Sequence, residues 1–320
     1  MREQSDHPEY SIVVPVYNEE ESLEELARRL RELLARLGGR GEVIFVDDGS
    51  SDRSFELMLA ARASDDRFKA LRLSRNFGHE IATTAGVDAA SGDAVIIMDA
   101  DLQDPPEVVE EMVARWREGV DVVFTIRDER PGETWFKRKT AVVFYRVFHR
   151  LAGIGVPLDA GDFRLVDRRA LEAFKAMRER NRYVRGMFGW IGFRQEGVHY
   201  TRAERFGGET KYPFRKLVTL AIDGIVSFSS APLRFALNLG LFVSVFSFLL
   251  GAAFLVWKLI GFYSVPGLAS IAVYVSLLGG VQLFLLGVIG EYIARIHDEV
   301  KRRPLYLVRD AHGLPDETPR

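Results

Sequence analysis

Two long uncharged stretches near the C-terminal end constrain this chain more than any other feature. No charged residue occurs from Phe235 to Trp257, a run of 23 positions. After Lys258 a second uncharged stretch runs from Leu259 to Gly290. A helix needs about 20 consecutive apolar residues to cross the hydrocarbon core of a bilayer. The second stretch exceeds one span, and Gly261, Pro266 and Gly267 interrupt its start. The pattern predicts a first span over 235–257, a short connection over 258–266 and a second span over about 267–290. The competing reading, two buried core helices, fits less well, because adjacent core helices normally present polar faces.

The start of the chain, MREQSDHPEY, has no apolar core of the kind a signal peptide carries. The expectation is that the first 230 or so residues stay in the cytoplasm and that two spans return the C-terminus to the same side. Arg234 flanks the first span, and Arg295, Lys301, Arg302 and Arg303 follow the second. Both clusters match a positive-inside orientation, with Lys258 the single exception. The expected location is the plasma (inner) membrane, multi-pass, with the soluble part on the cytoplasmic face.

The 320 residues as a whole are 48% hydrophobic and 28% charged, a composition that excludes intrinsic disorder. There is no cysteine, hence no disulfide framework, thiolate metal site or cysteine nucleophile. Lys plus Arg (43) nearly balance Asp plus Glu (45), so the basic excess of a nucleic-acid binder is missing.

The first 130 residues alternate strand-like and helix-like segments. The strands are Ser11–Val16, Val43–Val46, Ala70–Leu73, Ala94–Met98 and Val122–Ile126. The helices are Glu20–Leu37, with Asn18 as its cap, Phe55–Ala63, His79–Ala90 and one opened by Pro105 and Pro106 that carries Val109, Met112, Val113 and Trp116 on one face. This alternation predicts an α/β fold, a mostly parallel sheet with helices on both faces. Phe136–Leu151 and Phe214–Leu233 mix basic and apolar residues, as interfacial amphipathic helices or half-buried helices of a globular domain do. Trp135 beside Lys137 and Arg138 fits an interface anchor, Arg178–Arg185 a solvated face or a lipid-phosphate contact, and His79 a packing or surface histidine.

Ligands in such sheets sit outside the carboxyl ends of the strands. Three of those ends are acidic: Pro15-Val16-Tyr17-Asn18-Glu19, Asp47-Asp48-Gly49-Ser50 and Asp99-Ala100-Asp101-Leu102-Gln103. Asp99 and Asp101 are two apart, so both carboxylates can converge on a hard cation such as Mg²⁺ or Mn²⁺. Asp47 and Asp48 read either as part of an Asp-Gly turn or as acceptors for a nucleotide's base or ribose, on which Tyr17 could stack. Neither a G-x-G-x-x-G after the first strand nor a G-x-x-x-x-G-K-[ST] is present.

In order along the chain, SIVVPVYNEEESL, VIFVDDGSSDRS, LSRNFGHEIATTAG, DADLQDPPE, GETWFKR, AGDFRLVDR and GGETKYPFRKL resemble the membrane-anchored polyprenyl-phosphate glycosyltransferases of glycosyltransferase family 2. That group includes bactoprenol glucosyltransferases and dolichol-phosphate mannose synthases. The resemblance runs from about residue 10 to 310 and is strongest to the bactoprenol type, which also has two C-terminal spans. It implies a GT-A fold over 1–213, a juxtamembrane segment over 214–234, two transmembrane helices over 235–290 and a cytosolic tail over 291–320. It further implies that Pro15, Tyr17, Glu19, Asp47, Asp48 and Asp99 hold the nucleotide, and that Asp99 and Asp101 hold Mg²⁺ or Mn²⁺ on its diphosphate with Gln103 close by. Asp162 matches the candidate catalytic aspartate, and Arg127, Arg164, Arg205, Lys211 and Tyr212 match or adjoin positions that meet phosphates. Similarity favours UDP-glucose as donor, with GDP-mannose and other UDP-sugars as alternatives, and undecaprenyl phosphate as acceptor. A homo-oligomer is also implied.

A polyprenyl phosphate would attack C1 of the sugar with inversion. A phosphate monoester, with a second pKa near 6, is largely ionised at neutral pH. The expected role of Asp162 is therefore to orient groups or handle a residual proton, not to perform an essential deprotonation. A processive polysaccharide synthase would carry Gln-x-x-Arg-Trp, but Met112 precedes Arg115-Trp116 here. A scaffold would not need Asp99, Asp101 and Asp162 together, and a flippase would need more spans.

Overall fold

The computed structural model describes residues 8–38, 40–127, 160–201, 229–260 and 267–314. They belong to two compact units, one drawn from residues 1–149, 154–217 and 303–320, the other from 150–153 and 218–302.

The first unit is built on one eight-stranded sheet: β1 (Tyr10–Val16), β2 (Gly41–Asp47), β3 (Phe68–Leu73), β4 (Ala94–Ile97), β5 (Val122–Arg127), β6 (Ala160–Asp167), β7 (Gln195–Tyr200) and β8 (Val308–His312). Their spatial order is β7-β5-β6-β4-β1-β2-β3-β8. Pairing is parallel for β1–β2, β1–β4, β2–β3 and β5–β7, and antiparallel for β4–β6, β5–β6 and β3–β8. Every residue of β1 and β2 is buried, which is why both read as near-continuous apolar runs.

The helices of this unit are α1 (Leu23–Arg36), α2 (Ser54–Ser64), α3 (His79–Ala89), α4 (Val108–Arg117), α5 (Arg168–Ala176) and α6 (Val184–Trp190). α1 buries Leu23, Leu26, Leu30, Leu33 and Leu34. On its exposed side Arg28 pairs with Glu25 and Glu32 one turn away. α4 buries Val109, Met112, Val113 and Trp116, as its spacing predicts. Trp116 is a core residue whose Nε1 donates to Asp167 Oδ2 at 2.9 Å.

Two helix starts differ from expectation. α1 begins at Leu23 with Ser22 at its cap, because Asn18 is used elsewhere: at φ 55° it turns the chain out of β1. Pro105 and Pro106 form the turn before α4, whose first regular residue is Val108. β8 was not foreseen. Its sequence, VRDAH, has no apolar alternation, and only pairing with β3 makes it a strand. It covers what would otherwise be an open sheet edge. Buried Tyr306, just before it, donates to Asp88 Oδ2 at 2.9 Å.

At the amino end of the sheet a buried carboxylate ties four segments together. Glu42, on β2, accepts from Ser11 Oγ of β1 (2.5 Å) and from Ser91 N and Oγ before β4 (2.9 and 2.7 Å), and it pairs with Lys69 of β3.

The second unit consists of α7 (Ala231–Leu259) and α8 (Leu268–Val300). Their 29 and 33 residues correspond to about 44 and 50 Å at 1.5 Å per residue, against a bilayer core of about 30 Å. Both are apolar enough to cross a membrane over Ala231–Trp257 and Val273–Val300, and their long side chains, Phe242, Phe246 and Leu286 among them, point outward. Gly240 faces Leu285 and Tyr292 Oη donates to Ser229 O at 2.7 Å, the register of an antiparallel hairpin. α8 runs ten residues past the predicted span because Glu291 and Arg295 pair at i, i+4 and continue the helix in polar residues. Segment 136–151, Trp135 and residues 214–228 lie outside the described residues.

Burial pushes the Glu42 carboxyl up, but Lys69, Ser11 and Ser91 more than offset it and hold it below the ordinary carboxylate range. A depressed folded pKa adds stability above the unfolded pKa, and that stability is lost as pH falls through the folded value. Glu42→Gln, which leaves Lys69 without its partner, is expected to cost about 3 kcal/mol near neutral pH. The deficit should shrink as the pH drops below about 4, measured by denaturant unfolding at several pH values. A deficit independent of pH would contradict the ionised assignment.

Candidate functional site

The carboxyl ends of β1, β2, β3, β4, β5 and β7 share one edge of the sheet, and because β6 runs antiparallel its start lies there too. From β1 the chain proceeds outward through β2 and β3, then returns to place β4 on the other flank. That reversal opens a crevice where ligands of α/β sheets bind. The β1–β4 ladder ends at Val13↔Ile97, followed by Met98 N donating to Val13 O at 3.1 Å. Pro15, which has no N–H to give, comes after the ladder with β4 has ended, while β1 stays paired to β2 as far as Val16↔Asp47. Tyr17 emerges there, half exposed.

The loops after β1 and β2 are locked together. Asn18 N donates to Ser50 Oγ (3.0 Å) and Asn18 Oδ1 accepts from Ser51 N (2.9 Å). Glu19 N donates to Ser54 Oγ (2.9 Å), Glu20 N to Asp52 Oδ2 (3.2 Å) and Arg53 N to Glu20 Oε2 (3.1 Å). Asp47 is fully buried, accepting from Ser50 N at 2.9 Å and ion-paired with Arg72 at 3.0 Å. Asp48 Oδ1 and Oδ2 accept from Phe77 N (2.7 Å) and Gly78 N (2.9 Å). The Asp47-Asp48 pair therefore fastens the β2 end to the segment that starts α3. Gly49 makes this possible: at φ +76° it adopts a left-handed turn, and a Cβ there would lie 2.7 Å from Arg75 C and Asn76 N.

On the other flank, Asp99 and Asp101 follow β4, and Asp101 Oδ1 accepts from Gln103 N at 3.1 Å. Leu102 is buried at φ 59°, which turns the loop back. Asp104, also buried, accepts from Tyr200 Oη of β7. The β4–β6 register pairs Ile97 with Arg164, so the antiparallel strand carries Asp162 alongside Asp99. Asp162 is gripped by Arg185 of α6, Nε to Oδ1 at 2.6 Å and Nη2 to Oδ2 at 2.5 Å. His79 Nε2, at the start of α3, stands 3.5 Å from Asp99 Oδ1.

The charges of this corner interact. Burial raises Asp99 to about 6; His79 opposes the shift, and Asp104, Asp162 and Asp101 add to it. Burial also acts to raise Asp162, but the Arg185 hydrogen bonds and the charges of Arg185 and Arg164 dominate and bring it to about 2. Glu80, beside His79, is raised to about 7 by burial and then by Asp162. Among the described residues no three His, Asp or Glu side chains form a ready-made metal site. Two clustered carboxylates with surplus negative charge do fit a hard cation that takes its remaining ligands from a bound diphosphate.

The crevice thus brings Pro15, Tyr17, Glu19, Asp47 and Asp48 to one flank and Asp99, Asp101, Gln103 and Asp162 to the other. Arg164, expected near phosphate, is buried behind the site, donating to Gly161 O at 2.8 Å and lying over the Phe188 ring. Arg127 ends β5; Arg205, Lys211 and Tyr212 lie outside the described residues. Three residues went unrecognised in the sequence. His79 is exposed, as a surface histidine would be, but its ring also stands beside Asp99, and Glu80 and Arg185 join the same cluster. Arg178–Arg185 is only in part a solvated face: Arg178 is exposed while pairing with Asp88, but Arg182 is buried and Arg185 holds Asp162. Their only sequence signal was basic and acidic residues flanking Gly78 and Tyr183.

The profile of glycosyl transferase family 2 matches residues 11–174. The uncharacterized glycosyltransferase YkcC of Bacillus subtilis is 47% identical over 313 residues, covering 98% of this chain and 97% of that protein. The bactoprenol glucosyl transferase of Shigella phage SfII is 42% identical over 302 residues, covering 94% and 98%. Among solved structures, glucosyl-3-phosphoglycerate synthase from Mycobacterium tuberculosis, in complex with Mn²⁺, UDP and glucosyl-3-phosphoglycerate, is similar at 20% identity and a TM-score of 0.48 over 68% of this chain and 78% of that one.

Gly49→Ala is expected to destabilise the first unit by at least about 1–2 kcal/mol from the left-handed backbone alone, with steric overlap adding to it. Thermal unfolding checks this, and an unchanged midpoint would contradict the assigned turn.

Proposed function

The chain belongs to glycosyl transferase family 2, and from that premise we propose that it transfers glucose from UDP-glucose to the phosphate of undecaprenyl phosphate, with inversion at C1 and release of UDP. The observation that carries the reading is the corner of Asp99, Asp101 and Asp162 facing the locked β1–β2 loops across the crevice. The choice of sugar and lipid is supported by similarity at 42% identity to proteins named bactoprenol glucosyl transferase, over 98% of their length.

In this reading Tyr17 stacks on the base, and Pro15, Glu19, Asp47 and Asp48 shape the wall that receives the nucleoside. Asp99 and Asp101 hold Mg²⁺ or Mn²⁺, which supplies neutralisation of the charge that grows on the departing diphosphate. Gln103 positions the Asp101 loop through its backbone. The acceptor phosphate is largely dianionic at neutral pH and attacks without a base. Arg127, Arg205, Lys211 and Tyr212 are proposed to receive that phosphate, with Arg164 supporting the strand that bears Asp162. Asp162, ionised at any working pH, orients the reacting groups. The apolar hairpin anchors the enzyme in the plasma membrane with the transferase unit on the cytoplasmic face, as the basic residues at its ends favour.

The test offers radiolabelled UDP-glucose, UDP-galactose, UDP-N-acetylglucosamine and GDP-mannose in parallel to the detergent-purified protein with undecaprenyl phosphate. Label is expected in the organic phase from UDP-glucose and to be lost with EDTA or Asp101→Ala. Transfer from another donor would correct the sugar, and no lipid-linked label from any donor would overturn the reading. Asp162→Asn is expected to lower the rate by a similar factor from pH 6 to pH 9, because a carboxyl near 2 contributes no inflection there. Recovery at high pH would make Asp162 a base.

A further inference from the structure

Resting on that reading, we propose that Arg185 is a positioning residue for the transfer: its guanidinium fixes Asp162 in one orientation and cancels its charge at the point where two anionic substrates meet. The grip is a two-pronged guanidinium–carboxylate pair, which sets direction as well as charge. Neither partner is deeply shielded, at 31% and 26% side-chain exposure, so the pair borders the crevice.

The surroundings hold both partners rigidly. Arg164, two residues from Asp162, lies 4.6 Å from the Phe188 ring centre. Phe188, three residues from Arg185, stacks on Phe174 at 4.5 Å with the planes 3° apart. Arg182 lies over Phe174 at 5.0 Å and donates to Met177 O at 2.7 Å. This ladder of two arginines and two stacked rings couples β6, which carries Asp162, to α6, which carries Arg185.

Charge gives the reason for such a device. Asp162 interacts electrostatically with Asp99 and Glu80; Arg164 lies 3.9 Å from Asp162 Oδ1, and the His79 ring stands 3.5 Å from Asp99 Oδ1. An unneutralised carboxylate at this place would repel the diphosphate of the donor and the phosphate of the acceptor alike. Arg185 removes that repulsion and leaves the carboxylate oxygens in a set direction. It acts through Asp162 and does not itself meet the reacting atoms.

The experiment is a steady-state cycle on the full-length protein with UDP-glucose and undecaprenyl phosphate, using Arg185→Lys, Arg185→Ala, Asp162→Ala and Arg185→Ala/Asp162→Ala. Arg185→Lys keeps the charge and loses the fork. Both single Arg185 variants are expected to lose kcat on the order of 100-fold, the scale of a small misplacement. In Arg185→Lys, which keeps the charge, KM for UDP-glucose and UDP binding by calorimetry should stay unchanged; in Arg185→Ala, which removes it, UDP binding should weaken as well. The double variant should be no worse than Asp162→Ala, and added guanidinium should restore part of the Arg185→Ala rate. Additive losses, a wild-type kcat in Arg185→Lys, or a raised KM for either substrate at unchanged kcat would overturn the inference. If Arg185→Ala does not fold, Arg185→Lys decides. A wild-type protein that binds UDP but glucosylates no lipid overturns the proposed function, and this inference with it; additivity in an active enzyme overturns this inference alone.

Discussion

The early end of the β1–β4 ladder is the constraint on which the rest of the site depends. β4 leaves β1 after Ile97, and Pro15 offers no further donor on that side. The two chain ends diverge, one toward Tyr17 and the locked β1–β2 loops, the other toward Asp99 and Asp101. The gap between them is a product of topology, since the chain winds away from β1 in both directions. Inserting β6 antiparallel on the far side of β4 then adds Asp162 to the same edge.

Opposite charge handling on the two flanks gives the crevice its chemistry. On the β2 flank, Asp47 is paired with Arg72 and Asp48 accepts from two backbone amides that only partly offset its burial, so both fasten loops. On the β4 flank, burial and the neighbouring carboxylates raise Asp99, with His79 opposing the shift. Asp162 is the counterexample within the same cluster, because the Arg185 fork and the nearby Arg164 outweigh its burial. Two carboxylates within one corner, Asp99 and Asp162, thereby acquire distinct electrostatic states from their neighbours.

Much of this was legible in the sequence. The parallel half of the sheet follows from apolar runs ended by acidic loops, and the hairpin from two uncharged stretches. The candidate residues at the ends of β1, β2 and β4 were found because strand ends can be located by local pattern. Asp162 came only through resemblance, since its place beside Asp99 is set by a pairing across more than 60 residues. His79 and Arg185 carried only a weak local signal, charged residues near Gly78 and Tyr183; each is placed by the element behind it, α3 after the left-handed Gly78 and α6 after the Arg182–Phe174 stack. β8 was hidden for the same reason, as a polar edge strand is defined by its partner. Asn18, a good helix cap by type, was drawn instead into bridging two loops.

The central claim is that the β1–β4 crevice holds a divalent cation on Asp99 and Asp101 together with a nucleoside diphosphate. An anomalous-scattering map of crystals grown with Mn²⁺ and UDP tests it most directly. The account predicts one strong peak at bonding distance from the Asp99 and Asp101 carboxylates, with the uracil ring against Tyr17 and Asp162 still held by Arg185. A peak elsewhere, or UDP bound with neither aspartate near a metal, would contradict it.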